Sequence, residues 1–138
     1  MNAKEELQIC LHEIKYQNIV NAELKRLFLE MLSLQDKNLI STYRYKKLNE
    51  LIEKNEKLIE ESEIKVNKIK NKINELKQPY KNILFLRYIN GKSYEDIAME
   101  SNYSTPRIFQ LHKEAIILYT QKYCSNENNA KLDNDKTL

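Results

Sequence analysis

Apolar positions in this chain recur at steps of three and four almost from its first residue, the mark of helices with one buried face. Leu7, Cys10, Leu11 and Ile14 open the pattern, and Val20, Leu24, Leu27, Met31 and Leu34 continue it, predicting a helix from Ala3 to about Ser33. A polar break follows at Gln35-Asp36-Lys37-Asn38, and Ser41-Thr42 offers a cap for a second helix. There the steps alternate strictly: Leu48, Ile52, Asn55, Ile59, Ser62, Val66, Ile69, Ile73 and Leu76 trace a heptad seam. Its a positions (Ile52, Ile59, Val66, Ile73) are all β-branched, which favours parallel two-stranded coils, and the polar d residue Asn55 is of the kind that fixes register. Two pairings satisfy this seam. It can fold back on the first helix as an antiparallel hairpin, or it can pair with a second copy as a homodimer. Leu51, Leu58 and Ile64 widen the apolar surface enough for both to hold.

Beyond Gln78 the periods shorten. Pro79 suits a first helical turn, where its missing N–H costs nothing, and Ile83, Leu84, Leu86 and Tyr88 give that helix an apolar side. Gly91, the only glycine in the chain, ends it by taking up φ > 0 without steric penalty. Ser93 then caps a helix over Tyr94 to Ser101, with Asp96 three residues on and Ile97 and Ala98 facing inward. Asn102 is the non-glycine residue best suited to a left-handed corner. After it Ser104 caps a third helix, whose first turn holds Thr105 and Pro106 and whose inner face is Ile108, Leu111, Ala115 and Leu118.

Ala98, Asn102, Ile108 and Leu111 thus supply a small contact residue, a left-handed corner and two anchors, which two helices crossing near a right angle require. The third helix then turns Thr105, Arg107, Phe109, Gln110, Lys113 and Glu114 outward. Arg and Gln side chains pair with guanine and adenine edges in the major groove, so Thr105, Arg107 and Gln110 are candidate base contacts. Lys92, Ser93, Tyr103, Ser104 and Lys113 are candidate contacts to the DNA backbone. The plainer alternative is a three-helix bundle with a polar outer face, in which Ser93 and Ser104 are only caps and Lys92 is a solvated turn residue.

Composition agrees with long helices and little loop: one glycine, two prolines and no tryptophan in 138 residues. The expected fold class is therefore all-α. A helical coiled-coil or oligomerisation region spans 1–78 and a helix-turn-helix spans 79–123. The tail at 124–138 is too polar to order itself. Net charge is +3, with 10 basic against 7 acidic side chains in 44–78 and 6 against 4 in 79–123, which permits a nucleic-acid partner without demanding one. Cys10 and Cys124 stand apart, as expected for reduced thiols of a cytoplasmic protein. The opening MNAKEELQIC has acids and no apolar run, so no signal peptide is expected, and no apolar stretch reaches the length of a membrane span. His12 and His112 lack metal-ligand company, and no glycine-rich phosphate loop is present. Glu60, Glu61 and Glu63 lie among lysines as a solvated face, and His112 is expected on the helix surface. Neither catalysis nor a metal or cofactor is expected.

The segment ILFLRYINGKSYEDIAMESNYSTPRIFQLHKEAI resembles region 4 of the sigma-70 family, the helix-turn-helix that reads the promoter −35 element. The likeness runs through Leu86-Arg87-Tyr88, Gly91-Lys92-Ser93, Glu95-Asp96-Ile97-Ala98, Asn102-Tyr103-Ser104, Arg107-Ile108, Gln110-Leu111 and Ala115. The whole chain is also similar to small prophage-encoded sigma-like regulators of the RinA and ArpU types, which open with a similar Met-Asn-Ala-Lys-Glu and continue through a helical region. These resemblances imply a phage-type transcriptional regulator acting on double-stranded DNA inside a bacterial host. Arg107 and Gln110 match the region 4 pattern, whereas Thr105 and Pro106 stand where that family has a base-reading Arg-Glu pair, so its −35 preference does not carry over. Nothing resembles the promoter-melting domain of a complete sigma factor. Two alternatives remain open: an interaction protein that binds RNA polymerase or another host protein through the coil, and an oligomeric DNA-packaging subunit.

Overall fold

The computed structural model describes residues 1–36 and 42–124, and these are all-α. Helix α1 is Ala3–Asp36, α2 is Thr42–Asn74, α3 is Tyr80–Leu84, α4 is Tyr94–Ser101 and α5 is Thr105–Tyr119. Wider π-helical turns extend α3 over Phe85–Ile89 and α5 over Thr120–Cys124. Among the described residues no helix is long and apolar enough to cross a membrane. Helix α1 runs three residues past the expected Ser33, and residues 37–41, with the expected Ser41 cap, lie outside the described residues. The expected tail from 125 onward also lies outside them. Cys124, assigned to that tail, is instead the buried last residue of the turn extending α5, and neither cysteine is in a disulfide.

The chain divides into two compact units, His12–Val66 and the pair of segments Met1–Leu11 and Asn67 onward. In His12–Val66 the two long helices pack antiparallel: Leu24 and Leu27 of α1 cluster with Leu48 and Ile52 of α2, while Glu13 and Gln17 meet Ser62. Ser62 is 2% exposed at a d position. Its hydroxyl donates to Glu13 Oε2 at 2.6 Å and accepts from Gln17 Nε2 at 3.0 Å, so both polar capacities are used. Lys65 Nζ lies 3.5 Å from the other oxygen of the Glu13 carboxylate. The Asn55 amide donates to the Leu51 carbonyl of its own helix at 2.7 Å, and the residue is half-buried. Of the predicted seam, Leu48, Ile52, Val66, Ile69, Ile73 and Leu76 are buried by the packing of one chain, with Ile59 half-buried. Ile19, Phe28, Leu29 and Leu32 on α1 and Leu51 on α2 remain exposed.

The other unit gathers both termini of the helical region around the shorter helices. The sequence divides the chain at 78/79, whereas this unit draws in 1–11 and 67–78 as well. Side-chain contacts explain the difference. Glu6 Oε1 accepts from Tyr119 Oη at 2.9 Å and from Lys72 Nζ at 2.5 Å. Tyr123 Oη has two acceptors within reach of its single proton, the Lys72 carbonyl at 2.7 Å and Glu75 Oε2 at 2.9 Å. Ala3, Leu7 and Cys10 are buried here too. Gly91 adopts φ +69°, as its position between helices demands, and lets the Lys92 amide reach back to the Leu86 carbonyl at 3.0 Å. A Cβ there would sit 3.5 Å from Leu11 Cδ1, an ordinary contact, so the conformation rather than space selects glycine.

Replacing Ser62 removes a donor from Glu13 and an acceptor from Gln17 in a half-buried layer. Ser62→Ala is expected to destabilise the fold by about 1–2 kcal/mol. Chemical denaturation of the variant checks this, and an unchanged midpoint would show that water replaces both bonds.

Candidate nucleic-acid interface

Local chemistry fixes each helix end around α5. Ser93, in extended backbone, accepts the Asp96 amide at 3.2 Å and caps α4. Asn102 then takes φ 59°, ψ 26°, and the Tyr103 amide returns to the Ala98 carbonyl at 3.2 Å, closing the helix with a left-handed corner. Ser104 repeats the cap on α5 by accepting the Arg107 amide at 3.3 Å, with Pro106 in the first turn. Beneath this corner Ile83, Ile97, Ala98, Ile108 and Leu111 form one buried cluster.

The packing leaves α5 with two different sides. Ile108, Leu111, His112, Ala115 and Tyr119 are buried, whereas Arg107, Phe109, Gln110 and Lys113 are exposed. Thr105, Phe109 and Lys113 lie one turn apart along one line of the helix, and Gln110 follows Arg107 on the adjoining line. Thr105 itself is half-buried at the helix start. Glu114 is tied inward, accepting from Tyr80 Oη at 2.9 Å, and its carboxylate holds the phenol above its ordinary pKa.

The expected backbone contacts are more scattered. Ser93 and Ser104 already serve as caps, but each hydroxyl keeps its own O–H to donate. Lys92 is paired with Glu100, so it meets a phosphate only by sharing or leaving that carboxylate. Tyr103 is exposed but lines a cleft of about 420 Å³ with Pro79, Asn82, Leu86 and Ser101. Lys113 is exposed on the outer side of α5.

Three residues not singled out as contacts organise this surface. Arg87 donates through Nη1 to the Lys92 carbonyl at 2.9 Å and lays its guanidinium 4.4 Å from the centre of the Tyr94 ring. Tyr94 packs against Phe109 with centroids 4.6 Å apart and meets His112 edge-on at 5.3 Å. His112 is not the surface residue expected: it is 8% exposed, and its Nε2 lies 2.8 Å from Tyr88 Oη. A position four residues after Ile108 and three before Ala115, on the inner line of α5, is the signal that places it there. Burial, with the Lys4 and Arg87 charges adding to it, lowers His112 from 6.5 to about 4, so the imidazole is neutral at ordinary pH. Burial likewise pushes Tyr88 up to about 12.

No known protein family matches this chain, nor does any curated protein or solved structure.

Neutral His112 couples the fold to pH. Between about 4 and 6.5 the unfolded chain binds a proton at this position that the folded chain excludes. Stability is therefore expected to be full above 6.5 and to fall as the pH drops towards 4, by at most about 3 kcal/mol. Thermal melts of wild type and His112→Gln across that window test it. The variant should have the flatter profile, and parallel profiles would assign the acid sensitivity to other groups.

Proposed function

We propose that this chain is a sequence-specific DNA-binding transcriptional regulator of the phage type, with α5 entering the major groove of double-stranded DNA. The observation that carries the reading is the exposed line of α5. Arg107, Gln110 and Lys113 project from a helix whose opposite side is fixed by Ile108, Leu111 and Ala115. A helix anchored in this way meets a groove with its side chains already aimed, which lowers the ordering cost of binding. Arg107 suits a guanine edge and Gln110 an adenine edge, while Lys113 and the O–H groups of Ser93 and Ser104 suit phosphates. The likeness of the segment around α3–α5 to sigma-70 region 4, and of the chain to prophage regulators, supports the same assignment in a bacterial cytoplasm.

A homodimer would bring two such helices to two half-sites. The exposed apolar positions Phe28, Leu29 and Leu32 supply a surface for it, since most of the α2 seam is already buried within one chain. Light scattering of the wild type should then give twice the chain mass, and Phe28→Glu with Leu32→Glu should halve it. A wild-type monomer at micromolar concentration would remove the dimer from the proposal.

Arg107→Ala and Gln110→Ala should each lower specific affinity by about 1–3 kcal/mol without loss of helix content. Lys113→Ala should weaken all duplexes alike and reduce the slope of affinity against salt by about one. Fluorescence anisotropy on a duplex enriched from a random pool, across a salt series, measures both. Specific binding that survives the Arg107 and Gln110 changes would remove α5 as the reading helix. Affinity that ignores salt would turn attention to a protein partner such as RNA polymerase.

A further inference from the structure

We infer that Phe109 is a specificity-determining residue that reads the 5-methyl group of thymine. The inference rests on α5 being the groove helix. Phe109 is 49% exposed in a helix whose inner positions are already filled by Ile108, Leu111, His112 and Ala115, so the core does not need it. It is the fifth residue of α5, one turn after Thr105 and one turn before Lys113, and it immediately precedes Gln110. An apolar ring therefore sits among the side chains proposed to face base edges and phosphates.

Its position is set before any ligand arrives. Tyr94 packs against the Phe109 ring at 4.6 Å and 39° between planes. Tyr94 is in turn held by the Arg87 guanidinium at 4.4 Å and by the edge of His112 at 5.3 Å, and His112 is tied to Tyr88 at 2.8 Å. A ring supported in this way has little rotamer freedom left to lose on binding.

The major-groove edges of the base pairs carry donors, acceptors and a single apolar group, the thymine methyl. An exposed phenyl ring gains from covering that methyl and from nothing else on those edges. Its neighbour Gln110 suits adenine N6 and N7, so the two residues together favour a step rich in A·T pairs. Successive helix residues point in different directions, which assigns them to neighbouring pairs rather than to one.

Deoxyuridine removes the methyl and leaves every hydrogen-bonding group of thymine in place. A duplex is first enriched from a random pool with the full chain, and each thymine is then replaced singly by deoxyuridine. At one or two positions the replacement should weaken wild-type binding by about fourfold, the worth of one covered methyl. Phe109→Ala should bind the thymine and uracil duplexes equally at those positions, with helix content unchanged by circular dichroism. A wild-type series that is flat at every position overturns the inference, and this arm needs no variant to fold. Discrimination that persists in Phe109→Ala overturns it as well. In both cases binding that still depends on Arg107 and Gln110 leaves the assignment of α5 standing. A pool that yields no duplex overturns both together.

Discussion

Asn102 holds φ 59° at the point where α4 stops, and the direction of α5 follows from that single left-handed residue. A chain that continued in right-handed geometry would extend α4 and carry Ile108 and Leu111 away from Ile97 and Ala98. The corner instead folds α5 back over them, and Ala98 is small enough for the helices to close on each other. The two serine caps fit the same geometry. Each is in extended backbone before its helix, each accepts the amide three residues on, and together they satisfy donors that would otherwise be left unpaired at the helix starts. Which side chains of α5 face outward is a consequence of this corner, not of any preference of Arg107 or Gln110 themselves.

The far end of α5 is held by different chemistry. Tyr119 is fully buried and reaches Glu6, which Lys72 also contacts, so a phenol, a carboxylate and an ammonium share one partly buried polar centre. Burial and the Glu6 carboxylate both raise the Tyr119 pKa, keeping the hydroxyl as the donor. Tyr123 Oη adds a contact to the Lys72 carbonyl and Glu75 carboxylate around the end of α2. Between the corner and this centre runs the row Arg87, Tyr94, Phe109 and His112, in which a neutral imidazole avoids placing a buried charge beneath the outward face. Helix α5 is thus fixed at both ends and supported along its flank.

Periodicity and capping chemistry made much of this legible. The steps of three and four locate α1, α2 and α5, and the residue types Ser93, Gly91, Asn102 and Ser104 name the turns because few other residues satisfy those backbones. Pairing was less legible. A polar d position shows that a polar group is to be buried but not which partner it finds: Ser62 meets Glu13 and Gln17, whereas Asn55 turns to its own helix. Contact between Glu6 and Tyr119 joins residues 113 apart in sequence and leaves no local trace. His112 was misplaced for another reason: its polarity outweighed its position on the inner line of α5, where Tyr88 supplies the partner that makes burial tolerable. The aromatic support beneath the outer side of α5 was not legible either, because Tyr94 and Phe109 meet only through the corner.

The central claim is that the outward line of α5 is the surface that meets DNA. The most direct measurement is a titration of the ¹⁵N-labelled chain with a duplex enriched from a random pool, following every backbone amide. The account predicts shifts concentrated from Tyr103 to Lys113, with Ile19 to Leu32 unmoved by the duplex itself. Shifts confined to His12–Val66, or none at saturating duplex, would contradict it.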